Sequence, residues 1–153
     1  MPVFTGRHTS THVLARAPGE AAGLFADMGN WVACHPELAG SDRVDAQTLA
    51  VRLKPMSHGP VSFTGHYTLH FTRAGDTVRW QTGKDGNMEV SGEARFAPSG
   101  TGSRLDFTES ITMDLNLNRL LGAMIRPVAE SMMAHGMQRF VERMVSLVEG
   151  QPT

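Results

Sequence analysis

The amino-acid sequence predicts an α+β fold in which a curved antiparallel sheet of about seven strands wraps around a long C-terminal helix. Two observations carry this prediction. Between residues 41 and 114, apolar and polar residues alternate with period two, which is typical of strands buried on one face only. Over residues 117–149 the apolar spacing changes to that of a helix. No repeat or linker-like stretch divides the chain, so we expect residues 1–153 to form a single domain.

The first part of the chain predicts one strand and two short helices. Residues 3–15 are rich in β-branched side chains, which favour a strand. Pro18 followed by Glu20 indicates the start of a helix with an apolar face. A second short helix is expected at about residues 31–38.

The middle of the chain predicts a series of strands joined by turns. The clearest strand covers residues 61–71, where Phe63, Tyr67 and their apolar neighbours alternate with polar residues. Further strands are expected at residues 49–53, 77–82, 88–96 and 105–113. Turn-forming residues cluster at 55–60, 73–76, 84–87 and 98–102. In the C-terminal helix, Pro127 removes a backbone donor and should kink the chain.

Composition and charge narrow the classes of function. The 153 residues include 14 basic and 15 acidic side chains, and a net charge of -1 argues against a nucleic-acid-binding surface. The apolar runs are too short for an integral membrane span. We see no secretory signal, and Cys34 is the only cysteine, which favours a reducing, cytoplasmic location. The ten methionines are expected to fill the core or to form an adaptable pocket wall.

The order of elements and several local motifs resemble the START and birch-pollen-allergen superfamily, also called SRPBCC. The segments that resemble its two short helices are Ala17-Pro18, Leu24-Phe25-Ala26-Asp27 and Trp31 with His35-Pro36-Glu37-Leu38. The resemblance implies the helix-grip fold. Within the superfamily the sequence looks nearest to two branches, that of the polyketide cyclases/dehydrases and that of a small carbon monoxide dehydrogenase component. The segments similar to the latter are Gly59-Pro60-Val61 with Phe63 and Gly65, Ser91-Gly92-Glu93-Ala94 and Ser103-Arg104-Leu105.

This fold predicts a largely apolar cavity between the sheet and the C-terminal helix, which is a small-molecule site by default. Our first hypothesis is a carrier that binds a hydrophobic small molecule, such as a lipid, isoprenoid quinone, sterol-like compound or polyketide. The alternative is an enzyme that resembles polyketide cyclases and aromatases, and a third is a protein-interaction role with an empty pocket. Transient membrane contact is compatible with the carrier hypothesis. The sequence leaves the oligomeric state open.

Glu109 and Tyr67 are the candidate catalytic residues, because the alternation of their strands points both inward. A carboxylate in an apolar cavity should have a raised pKa, which suits a general acid or base. Alternatively, a strand irregularity turns Glu109 to solvent, or an arginine pairs with it. Tyr67 could orient a ligand, or its ring could belong to the core with a backbone partner for the hydroxyl. The predicted ligand-binding residues are Trp31, Phe63, Tyr67, Trp80, Val90, Phe107, Glu109, Met124 and Met132.

No cofactor or metal ion is expected. His8 and His12 lie four residues apart on one predicted strand, as do His66 and His70. Four residues of a strand span about 13 Å, too far for two ligands of one zinc ion. Cys34 and His35 are adjacent, and adjacent helical residues point about 100° apart, so their adjacency does not imply a nucleophile pair.

Overall fold

A computed structural model describes residues 3–150 of the chain. Nine strands and three helices follow one another in these residues. The elements are β1 (Val3–Leu14), α1 (Pro18–Ala26), α2 (Met28–Cys34), β2 (Leu38–Asp45), β3 (Thr48–Leu53), β4 (Met56–His58), β5 (Val61–Phe63), β6 (His66–Ala74), β7 (Thr77–Gly86), β8 (Met88–Ser99), β9 (Gly102–Asp114) and α3 (Arg119–Val148).

Seven of the strands form one antiparallel sheet in the order β1-β9-β8-β7-β6-β3-β2. The apolar residues of the alternating strands share the inner face of this sheet, and α1, α2 and α3 cover that face. The predicted helix-grip fold is therefore confirmed. Among residues 3–150, no helix combines the length and the apolar character needed to cross a bilayer.

Helix α3 lies across the inner face and packs most closely against β1. Gly6 makes this approach possible, since a Cβ atom at Gly6 would lie 2.6 Å from the Cβ of Met133. The Asn118 side chain accepts a hydrogen bond from the Leu121 N–H at 2.9 Å and so caps the first turn of the helix. The helix continues through Pro127, and every third or fourth residue after it is buried.

Two predicted boundaries are wrong. The second helix begins at Met28 instead of Trp31, because the Asp27 side chain caps it by accepting the Asn30 N–H at 3.2 Å. The single strand expected at residues 61–71 divides at Gly65. A side chain at Gly65 would collide with Met88, whose Sδ would lie 2.3 Å from the added Cβ. Before this break, β5 pairs only with β4, in a separate hairpin within the segment predicted as a turn.

Candidate functional site

The interior between sheet and helices is divided into two halves along the strands. In one half, five aromatic rings pack with neighbouring centroids 5.7–6.3 Å apart. These rings, which we call the aromatic plug, belong to Phe25, Trp80, Phe96, Phe107 and Phe140. Helix α1 supplies Phe25 at the centre of the plug, so this half has no room for a ligand.

The other half holds a cavity of about 100 Å³. The hairpin β4–β5 forms one of its walls, and α3 forms another. The lining residues are Trp31, His35, Pro36, Glu37, Leu53, Met56, Ser57, His58, Val61, Phe63, Tyr67, Met88, Val90, Glu109, Ile111, Met113, Leu115, Ile125, Val128, Ala129, Met132, Met133, Gly136, Met137 and Phe140. Most of these side chains are apolar, and six of the ten methionines of the chain are among them. Methionine is flexible, so this wall can change its shape around a ligand.

Glu109 lies at the border between the plug and the cavity. Trp80 in β7 is opposite Gly92 in β8, and Gly92 is opposite Glu109 in β9, so the three form one row across the sheet. Because Gly92 has no side chain, the Trp80 indole can lie over the middle strand. A Cβ atom at Gly92 would lie only 2.2 Å from Trp80 Cε2. The indole N–H thereby reaches across one strand and donates a hydrogen bond to Glu109 Oε2 at 2.7 Å.

Burial changes the ionisation of Glu109. Its side chain is only 5% exposed, and the loss of hydration raises the pKa of its carboxyl from the ordinary 4.5 to about 7. The hydrogen bond from Trp80 opposes this shift, because it stabilises the carboxylate. The carboxyl is neither turned to solvent nor paired with an arginine among residues 3–150. It can therefore accept or donate a proton near neutral pH at the wall of an apolar cavity.

Tyr67 lies in the wall of the same cavity and is 4% exposed. Burial raises the pKa of its hydroxyl far above the ordinary value of 10, and the negative charge of Glu109 adds to the effect. The phenol therefore stays protonated at neutral pH. It can donate a hydrogen bond to a ligand, whereas it cannot act as a base.

Six of the nine predicted ligand-binding residues lie in the cavity wall: Trp31, Phe63, Tyr67, Val90, Glu109 and Met132. The other three do not. Trp80 and Phe107 are on the inner face of the sheet as expected, but they belong to the aromatic plug. Met124 is 67% exposed, because α3 turns the neighbouring Ile125 inward instead.

Sequence reasoning missed His35 as a lining residue. His35 follows α2 directly and lies in the cavity wall beside Trp31, with ring centroids 4.8 Å apart. Its Nδ1 accepts the backbone N–H of Glu37 at 3.1 Å. Burial lowers the pKa of its imidazole from 6.5 to about 4, and the charge of Arg143 adds to this. His35 is therefore neutral at physiological pH.

The described part of the chain offers no cluster of three or more His, Cys, Asp or Glu side chains that could hold a metal ion. The polar groups at the cavity are instead isolated hydrogen-bonding groups in an apolar wall. Such an arrangement can bind an apolar molecule that carries few polar atoms. It also places one carboxyl and one phenol where a bound molecule would lie.

The fold and this cavity define a helix-grip protein with an internal apolar site. Residues 5–149 match the sequence profile of the family described as polyketide cyclase / dehydrase and lipid transport. The match spans nearly the whole chain, so the protein belongs to this family. Of the two branches that the sequence resembles, this is the polyketide cyclase/dehydrase branch.

Solved structures share the fold at low sequence identity. A protein from Thermus thermophilus superposes with a TM-score of 0.68 at 15% identity, over 95% of this chain and 97% of that one. The aromatase/cyclase Zhui from Streptomyces gives 0.64 at 13%, over 96% and 94%. A START superfamily protein from Mycobacterium smegmatis gives 0.61 at 12%, over 93% and 98%. No curated protein matches the sequence significantly.

Proposed function

We propose that the protein binds and carries a hydrophobic small molecule in the cavity between the sheet and α3. The observation that carries this proposal is the cavity itself. Protein interiors are normally close-packed, and an unfilled space of about 100 Å³ costs about 2 kcal/mol of stability. An apolar cavity of this kind, in a family described by lipid transport and polyketide cyclisation, supports a ligand-binding role.

The size of the cavity indicates how a ligand binds. Pockets for drug-sized ligands usually measure about 300–1,000 Å³, and an engineered cavity of about 150 Å³ accepts benzene. A ligand larger than one ring must therefore displace side chains. Met132 and Met133 in α3 and Met56 in the hairpin wall can move at low cost, because methionine has three rotatable bonds.

A neutral apolar fluorophore, N-phenyl-1-naphthylamine, tests this proposal by its fluorescence increase on binding. Ala129 lies in the cavity wall, so Ala129→Phe should fill the space and abolish the increase. Ala123 is exposed on the same helix, so Ala123→Phe is the matched control and should bind the fluorophore normally. Native mass spectrometry of the purified protein should detect co-purifying apolar molecules. Unchanged binding by Ala129→Phe would show that the fluorophore binds elsewhere and would reject the proposal.

A second candidate function is an enzyme of the cyclase or dehydratase type. The buried carboxyl of Glu109, with its pKa near 7, favours it, since a general base works best near the operating pH. Base-promoted ring opening of 5-nitrobenzisoxazole is a suitable probe, because it requires only proton abstraction by a desolvated base. Glu109→Gln should lower this rate by at least about 10-fold, whereas Glu89→Gln, at an exposed site, should not. Equal rates for the two variants would leave the carrier role alone.

A further inference from the structure

The two tryptophans differ in what their indole N–H groups contact. Trp80 Nε1 donates to Glu109, whereas Trp31 Nε1 has no hydrogen-bond partner among residues 3–150. Trp31 is only 2% exposed, and it lies in the cavity wall. Buried polar groups are nearly always hydrogen-bonded, and leaving one unpaired is unfavourable. The unpaired N–H of Trp31 therefore requires an explanation.

His35 provides a second N–H group beside it. Because His35 Nδ1 accepts the Glu37 N–H, the hydrogen of the neutral ring is on Nε2. The ring is 4.8 Å from that of Trp31, and both residues line the cavity. This side of the cavity consequently carries two hydrogen-bond donors, a feature that we call the donor pair.

The charges around the cavity are also informative. Among the described residues that line it, none is a lysine, an arginine or an aspartate. The Glu37 side chain, near the donor pair, is 3.6 Å from Arg139, so that arginine already has an anionic partner. An anionic headgroup beside the donor pair would thus be buried without a counter-charge, which is strongly unfavourable.

Building on the proposed function, we infer that the ligand is an electrically neutral apolar molecule with an acceptor oxygen, a carbonyl or an ether, that binds to the Trp31 and His35 N–H groups. Such an oxygen satisfies the unpaired donor without introducing a charge. Fatty-acid-like anions lack a counter-ion at this site. A pure hydrocarbon would leave Trp31 Nε1 unpaired.

Four probes with one benzene ring separate these chemistries: ethylbenzene, acetophenone, benzoate and benzylamine. Their affinities at pH 7 can be measured by NMR titration, and the two indole N–H signals report directly on the two tryptophans. Acetophenone should bind roughly 3- to 10-fold more tightly than ethylbenzene, as expected for one added hydrogen bond. It should move the Trp31 indole signal downfield and leave that of Trp80 nearly unchanged. Benzoate should bind at least about 100-fold more weakly than acetophenone.

Two variants test the donor pair. Trp31→Phe removes one N–H, and His35→Asn removes the other while its side-chain oxygen can still accept the Glu37 N–H. Either variant should reduce the preference for acetophenone over ethylbenzene by about 3-fold or more, with ethylbenzene affinity as the control for packing. The indole signals of the unaltered protein test the inference even if a variant fails to fold.

The outcomes separate the two proposals. If neither neutral probe binds, the proposed function fails. If ethylbenzene and acetophenone bind equally well, or if the Trp31 signal does not move, the carrier function stands and the donor-pair inference is overturned. Tighter binding of benzoate or benzylamine than of acetophenone would also overturn it, because the selected ligand would then be charged.

Discussion

Glu109 and His35 are ionisable groups at the same cavity, and burial shifts their pKa values in opposite directions. For Glu109 the pKa is near 4.5 in the unfolded chain and about 7 in the folded protein. Between these values the folded state holds the proton more tightly. The free energy of unfolding therefore falls as the pH rises from 4.5 to 7, by about 3 kcal/mol from this group.

His35 has the opposite effect. Its pKa is near 6.5 when unfolded and about 4 when folded, so between these values the unfolded state binds the proton more tightly. The free energy of unfolding consequently rises with pH from 4 to 6.5, by about 3 kcal/mol from this group. The two effects should nearly cancel between pH 4.5 and 6.5. His12, whose pKa is also lowered by burial, adds a further increase with pH.

Single substitutions should reveal these hidden contributions. Glu109→Gln removes the decrease, so its free energy of unfolding should rise by about 3 kcal/mol or more from pH 4 to 6.5. His35→Asn removes the main increase, so its free energy of unfolding should fall from pH 4.5 to 7. The double variant should return to a weak dependence on pH.

Urea unfolding followed by tryptophan fluorescence, at half-unit steps from pH 4 to 8, measures these free energies. Glu89→Gln, at an exposed position, is the control and should follow the unaltered protein. The reasoning would be refuted if Glu109→Gln had the same pH profile as the unaltered protein. The carboxyl would then have an ordinary pKa, and the cavity wall around it would have to be hydrated.

Three further substitutions test local features of the fold. Gly92→Ala should lower the free energy of unfolding by about 2–5 kcal/mol, through collision with Trp80 and loss of its hydrogen bond, and should raise the Glu109 pKa above 7 in a carboxyl NMR titration. Gly136→Ala should increase it by about 0.5–1 kcal/mol in urea unfolding, because a Cβ there meets no atom within 4 Å; a decrease would contradict this. Asn118→Ala should cost about 1 kcal/mol through loss of the α3 cap, and no change in the urea midpoint would contradict that role.

The period of the sequence was sufficient to predict the fold and the inner face of the sheet. Tyr67, Val90 and Glu109 lie inward as their alternation indicates, because a strand has only two faces. Alternation gives no information along the strand, however. Trp80 and Phe107 are on the correct face but in the half that α1 fills, and their own strands carry no signal for this.

The helix shows a different limit of sequence reasoning. Two neighbouring rows of apolar residues run along α3, one through Met124 and Met132 and the other through Ile125 and Met133. Their spacing is the same, so periodicity cannot decide which row faces the sheet. The contact of Met133 with β1 at Gly6 decides it, and that contact depends on two segments more than 120 residues apart. Hydrogen-bond satisfaction, which distinguishes Trp31 from Trp80, is likewise a property of the folded structure alone.

The division of the interior explains how one fold can combine a deformable site with a fixed carboxyl. The aromatic plug holds rigid rings in mutual contact, whereas the cavity wall is rich in methionine, so a ligand should enlarge only the cavity half. Glu109 lies at the border, and its anchor, Trp80, belongs to the plug. Its position is therefore set by the part of the protein that a ligand does not move. A carrier needs no such anchoring, because an apolar ligand gains nothing from a fixed carboxyl. Proton transfer does need it, since rates depend on the distance between the reacting atoms. The Trp80–Gly92–Glu109 row is thus the structural feature that favours catalysis most strongly, and the absence of lysine and arginine among the described lining residues is the one that restricts its substrate to neutral molecules.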